Sequence, residues 1–171
     1  PEYFEKPDLK SKRELLRHRC AIKEAARCWW GRRYQTGYPH PSEFLVSHDS
    51  AGAPHLEPAD DAHLPHVTLT HSGDVAMALA SASPMGIDME PEGRDTWSIA
   101  DQFMTEGEQT QARSLEESMP DEAWATRYWC AKEAVGKLLR VGLQGRPKQY
   151  EVVEIQPDGT LTVEHRADQS R

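Results

Sequence analysis

The chain has 171 residues, 37% hydrophobic and 28% charged, a balance that suits one compact soluble domain, or two small halves packed as one, and excludes a disordered polymer. No apolar run is long enough to span a bilayer, and the first thirteen residues lack the pattern of a secretory signal. A net charge of −8 argues against general nucleic-acid binding, and three cysteines without a CxxC pair point to a reduced, cytoplasmic setting.

Helical spacing of Leu15, Leu16, Ile22, Ala25, Ala26 and Trp29 predicts a helix from about Leu9 to Tyr34, stopped by Gly37, Pro39 and Pro41. This first helix is strongly basic, with Arg17, Arg19, Lys23, Arg27, Arg32 and Arg33 among its cations. Glu43 to His48 reads as a strand, and the Gly-, Pro- and Asp-rich stretch from Asp49 to Pro65 as a long loop. His66 to His71 and Val75 to Ser81 alternate around Ser72-Gly73-Asp74 and predict a hairpin. Met85 to Glu90 reads as a further short strand between Pro84 and Pro91.

An acidic, mostly helical region follows. Asp121 is then placed as the cap of a helix running to about Arg140, and Tyr150 to Gln156 pairs with Leu161 to Glu164 around Pro157-Asp158-Gly159-Thr160. The order predicts an α+β fold of two similar halves, about 9–84 and 85–166, each a long helix on a small antiparallel sheet. Lys23-Glu24-Ala25 and Lys132-Glu133-Ala134 echo one another in the two long helices, too briefly to establish a repeat.

Three clusters carry the chemistry. In Gly86-Ile87-Asp88-Met89-Glu90, strand alternation would turn both carboxylates to one face, where a hard divalent cation such as Mg²⁺ could relieve their repulsion. A solvated acidic edge would look the same. In Trp129-Cys130-Ala131-Lys132-Glu133-Ala134-Val135-Gly136-Lys137, Glu133 and Lys137 share a helical face. They form either a surface ion pair or a third metal carboxylate beside a phosphate-binding lysine. His71, in Thr70-His71-Ser72-Gly73-Asp74, could offer ring and backbone donors to a phosphate, or be a structural histidine. His55, His63 and His66 lie nearby but match no zinc spacing.

In this order, the Thr-His-Ser-Gly-Asp, Gly-Ile-Asp-x-Glu and Trp-x-x-Lys-Glu-Ala motifs closely resemble those of the Sfp-type phosphopantetheinyl transferases. The resemblance extends to Phe103-Met104-Thr105-Glu106-Gly107-Glu108 and Val141-Gly142-Leu143. The transferase domains embedded at the C-terminal end of iterative, enediyne-type polyketide synthases look nearest, and a chain that starts at Pro1 fits an excised domain. It implies a pseudo-twofold fold in a single domain over residues 1–171. The implied activity is Mg²⁺-dependent transfer of 4′-phosphopantetheine from coenzyme A to a serine of an acyl or peptidyl carrier protein.

The resemblance also implies roles. Asp88, Glu90 and Glu133 would hold Mg²⁺, Glu133 would be the base, and Lys137 would steady a phosphate oxygen. Arg19, Thr70 and His71 would bind the 3′-phosphate of coenzyme A. Thr70 stands where the family usually has serine, and Gly52-Ala53-Pro54 stands where it often has Gly-Lys-Pro. A monomer serving an acidic carrier through the basic stretch after Arg127, with Arg140, Arg146 and Lys148, is the expected assembly. An inactive carrier-docking module and a Mg²⁺-dependent phosphohydrolase are the alternatives.

Overall fold

The computed structural model describes residues 9–35, 37–57, 61, 63–91, 95–115, 120–156 and 158–166. It is α+β, and its chain divides into two compact units, Pro1–Ile87 and Asp88–Arg171.

The first unit begins with α1, Leu9–Tyr34, where the periodicity places it. Ile22 and Ala26 are buried and Trp30 partly so, a stripe at i, i+4, i+8 that gives the helix its packing face. Arg32 and Arg33 lie in the last turn, where the helix dipole favours cations. Gln35 takes a left-handed φ of 54° with its N–H on the Gly31 carbonyl, and this ends the helix. Gly31 is close to the Tyr38 ring: a Cβ there would lie 2.6 Å from it.

β1 (Leu45–His48) pairs antiparallel with β2 (Pro54–Glu57), so the predicted long loop contains a strand. The turn is held by the Asp49 carboxylate, which accepts N–H bonds from Ala51 and Ala53 at 2.9 Å each. β3 (His66–Ser72) and β4 (Val75–Ser81) form the predicted hairpin. Gly73, at φ 56°, sits first in its two-residue turn. α1 packs on this hairpin, and Phe44, Val46, Leu56 and Val67 complete a core with Ile22 and Ala26.

Residues 84–91, where the first unit ends and the second begins, carry no regular secondary structure. The expected strand at Met85–Glu90 is thus absent: the segment alternates as a strand should, but among the described residues no strand pairs with it. α2 (Ala100–Phe103) and α3 (Glu106–Arg113) follow. α3 starts with a reciprocal capping box, Thr105 accepting the Glu108 N–H while the Glu108 carboxylate accepts that of Thr105.

α4 spans Asp121–Leu138, with Pro120 and not Asp121 in the capping position. It stops before Arg140 because that residue turns left-handed, at φ 59°. The Arg140 N–H then reaches the Lys137 carbonyl and that of Val141 the Gly136 carbonyl, a Schellman closure. Gly136 packs so tightly on this return that a Cβ would come within 2.9 Å of the Gly142 backbone.

β5 (Tyr150–Ile155) and β6 (Leu161–His165) pair with an irregularity between Val152 and Glu154, and α4 packs on them. Phe103, Met104, Trp124, Ala125, Tyr128 and Val152 form the core. Within it lies an ion pair the sequence did not flag. Lys132 is 0% and Glu108 1% exposed, with Nζ 2.8 Å from Oε2. Lys132 also donates to the carbonyls of Phe103 and Pro147, and Glu108 Oε1 accepts the Val152 N–H. Burial pulls the lysine pKa below its ordinary value, while the Glu108 carboxylate raises it.

Among the described residues, no helix is long and apolar enough to cross a membrane.

Candidate functional sites

The acidic cluster of the second unit is built from the irregular segment 88–91 and one face of α4. Lys137 Nζ donates to Asp88 Oδ1 at 2.7 Å, the lysine side chain 30% and the aspartate 9% exposed. The thiol of Cys130, nearly two turns earlier on α4, hydrogen-bonds to the Asp88 side chain and the Glu90 backbone. Burial, then the Asp88 charge, pushes that thiol up to about 12. Half-buried Glu133 lies in the same field. Burial, then Asp88, and more weakly Glu90 hold its carboxyl above the ordinary carboxylate range, while Lys137 opposes them.

Asp88, Glu90 and Lys137 thus all act on the Glu133 carboxyl. The three carboxylates do not converge to ligand spacing. Among the described residues, the group of potential metal-ligand atoms lying within 4.8 Å of one another is Glu14, His18 and His71. Lys137 neutralises Asp88 in this arrangement, so it must share or release that contact to meet a phosphate. By chemistry the donor set fits Mg²⁺: three carboxylates, hard oxygen donors, with the Glu133 carboxyl raised by burial and then by the charge of Asp88.

In the first unit, β3 sets Thr70 and His71 on opposite faces. Thr70 is buried at 4% exposure, while His71 is exposed and lies on the face that meets α1. The two side chains thus do not aim at one ligand together. His71 instead meets Glu14 and His18 of α1: Nε2 is 3.1 Å from Glu14 Oε1, and the two imidazole centroids are 4.6 Å apart. Arg17 is engaged by Asp74 at 2.7 Å. Burial, then His71, holds the His18 pKa below its ordinary value, with Arg17 and His48 adding to the effect and Glu14 opposing it.

His48 is lowered likewise by burial and by Arg19, which brings Arg19 into the same cationic neighbourhood. His55 bonds to Glu57. Glu14 and His18 were missed in the sequence, although their i, i+4 spacing places them on one helical face.

The family model of the 4′-phosphopantetheinyl transferase superfamily matches residues 84–170, from the segment bearing Asp88 through β6. This chain belongs to that superfamily. The match contains the Asp88, Glu90, Glu133 and Lys137 cluster whole, and phosphopantetheine transfer is the activity the superfamily is named for. No curated protein matches the chain.

Proposed function

We propose that this superfamily member transfers 4′-phosphopantetheine from coenzyme A to a serine of an apo acyl or peptidyl carrier protein and releases 3′,5′-ADP. The observation that carries the reading is the Lys137–Asp88 ion pair beside Glu133, whose carboxyl is held above its ordinary range by burial and by Asp88, all within the matched stretch.

Asp88, Glu90 and Glu133 are the residues to hold Mg²⁺. When bound, the ion supplies neutralisation of charge on the pyrophosphate and on the departing 3′,5′-ADP. Glu133, its carboxyl raised by burial and by Asp88, is suited to take the proton of the attacking serine. Lys137, once it releases part of its hold on Asp88, presents its ammonium to a phosphate oxygen. His71 and Arg19, with Thr70 fixing the strand behind His71, contribute cationic and donor groups for the 3′-phosphate of coenzyme A.

The Sfp-type motifs, and their likeness to transferase domains of enediyne-type polyketide synthases, support a carrier of polyketide synthesis as partner. Exposed Arg140, Arg146 and Lys148 are its docking cations, and the chain acts in the cytoplasm as a monomer with pseudo-twofold halves.

Intact mass spectrometry of an apo acyl carrier protein incubated with the chain, Mg²⁺ and coenzyme A tests the reaction. One added phosphopantetheine is expected, abolished by chelator and by Asp88→Asn. No addition across several carriers overturns the proposal. Free 3′,5′-ADP without carrier modification would mark a hydrolase. Reversing the charge of Arg140 and Arg146 should weaken carrier binding, and unchanged affinity would refute the docking surface.

A further inference from the structure

His71, assigned above to the 3′-phosphate of coenzyme A, already faces an anion. The Glu14 carboxylate of α1 stands with Oε1 3.1 Å from His71 Nε2. One turn further along α1, Arg17 meets Asp74 at 2.7 Å, in the turn that joins β3 to β4. Two groups that this corner of the first unit could turn toward a phosphate are thus each matched to a carboxylate of the chain itself.

The arrangement is firm behind the His71 ring and loose in front of it. His18 packs against that ring, with centroids 4.6 Å apart. The Nε2 atom of His18 is shielded from solvent and has no hydrogen-bond partner, so packing holds this ring in place. Burial, and then His71, favour the neutral form of His18, which therefore brings no charge to the pair. In front, Glu14 is 37% and His71 48% exposed. An ion pair between solvated side chains is weak, and the long glutamate can swing into water. A phosphate dianion arriving at the same ring is repelled by the carboxylate at close range, so the two exclude each other.

We propose that Glu14 is an internal competitor for the 3′-phosphate: its carboxylate holds His71 in the free protein and must be displaced when a 3′-phosphorylated nucleotide binds. The proposal rests on the transferase reading of His71 and adds to it a residue that sets affinity. The 3′-phosphate is common to coenzyme A and to the released 3′,5′-ADP, so the competition loosens the product as well as the substrate and favours its departure.

Calorimetry on the full chain, at fixed Mg²⁺ and low salt, compares 3′,5′-ADP with 5′-AMP, which lacks the 3′-phosphate. The native protein should prefer 3′,5′-ADP, and His71→Ala should reduce that preference. Glu14→Gln should tighten 3′,5′-ADP about threefold to tenfold, leave 5′-AMP unchanged, and lose most of its advantage in 1 M salt, where the Debye length is about 3 Å. Glu24→Gln, the same charge change further along α1, should leave both affinities unchanged. Circular dichroism confirms that each variant is folded. Unchanged or weaker binding of 3′,5′-ADP by Glu14→Gln, or an equal gain from Glu24→Gln, overturns the competitor while leaving His71 at the phosphate. A native protein that binds the two nucleotides equally withdraws His71 from the 3′-phosphate and the proposal with it.

Discussion

Replacing Lys132 with methionine isolates the buried ion pair, because methionine fills nearly the same stem volume and removes only the charge and its hydrogen bonds. In the native protein Nζ serves Phe103 O at 2.7 Å, Glu108 Oε2 at 2.8 Å and Pro147 O at 3.3 Å. After the change Glu108 keeps two backbone donors, Thr105 N–H at 2.7 Å and Val152 N–H at 2.8 Å, but loses its counter-charge. Stranding one member of a buried pair costs about 3–5 kcal/mol, a large part of the roughly 5–15 kcal/mol that holds a domain together.

With a urea slope of about 2 kcal/mol per molar, the midpoint should fall by about 2 M. Urea titration followed by tryptophan fluorescence measures this through Trp124, 5% exposed and packed in the same core. Lys132→Met combined with Glu108→Gln should cost less than the two single changes added together, because the second change removes the orphaned charge. A loss below about 1 kcal/mol for Lys132→Met, or strict additivity in the double variant, would refute this account of the core.

Gly136→Ala should lower the melting temperature. The gain in helix propensity of about 1 kcal/mol is outweighed by an overpacking cost of about 1–3 kcal/mol, since the added Cβ meets Gly142 backbone at 2.9 Å. A melting temperature at or above that of the wild type would contradict the contact. Glu133 binds its proton more tightly folded than unfolded, so native stability in chelator should fall as pH rises from about 4.5 through the raised native value. Glu133→Gln should flatten that fall, stabilise the protein above it by about 1 kcal/mol and slow transfer about 10²- to 10⁴-fold; an unchanged stability–pH profile or an undiminished rate would dismiss the assignment. At pH 8 iodoacetamide should alkylate exposed Cys20 and spare Cys130, whose thiol is pushed up to about 12. Peptide mass analysis showing equal rates would contradict the placement of Cys130 against Asp88.

The elements legible in the sequence are those whose own side chains settle them. α1 announces its buried stripe of Ile22, Ala26 and Trp30, and the β3–β4 hairpin its alternation about Gly73. β2 was hidden because only Leu56 is deeply buried between Pro54 and Glu57, and pairing with β1 supplies what the residues do not. Met85–Glu90 failed in the opposite sense: alternation marks a chain ready to pair, while a strand also requires a partner. In the site, Asp88, Glu133 and Lys137 could be grouped from charge and i, i+4 spacing. Thr70 and His71 were grouped by adjacency, which a strand converts into opposite faces. Lys132 and Glu108 escaped notice because charged residues ordinarily lie at the surface, and their burial depends on donors from segments 24 and 44 residues from Glu108.

One carboxylate, that of Glu108, accepts from the start of α3, from the middle of α4 and from β5. Its dehydration is affordable only when all three are in place, so the second unit has little reason to assemble or come apart piecemeal. Native-state amide exchange at Val152 should then require the opening of α3, α4 and β5 together, marking them as a single cooperative unit of folding.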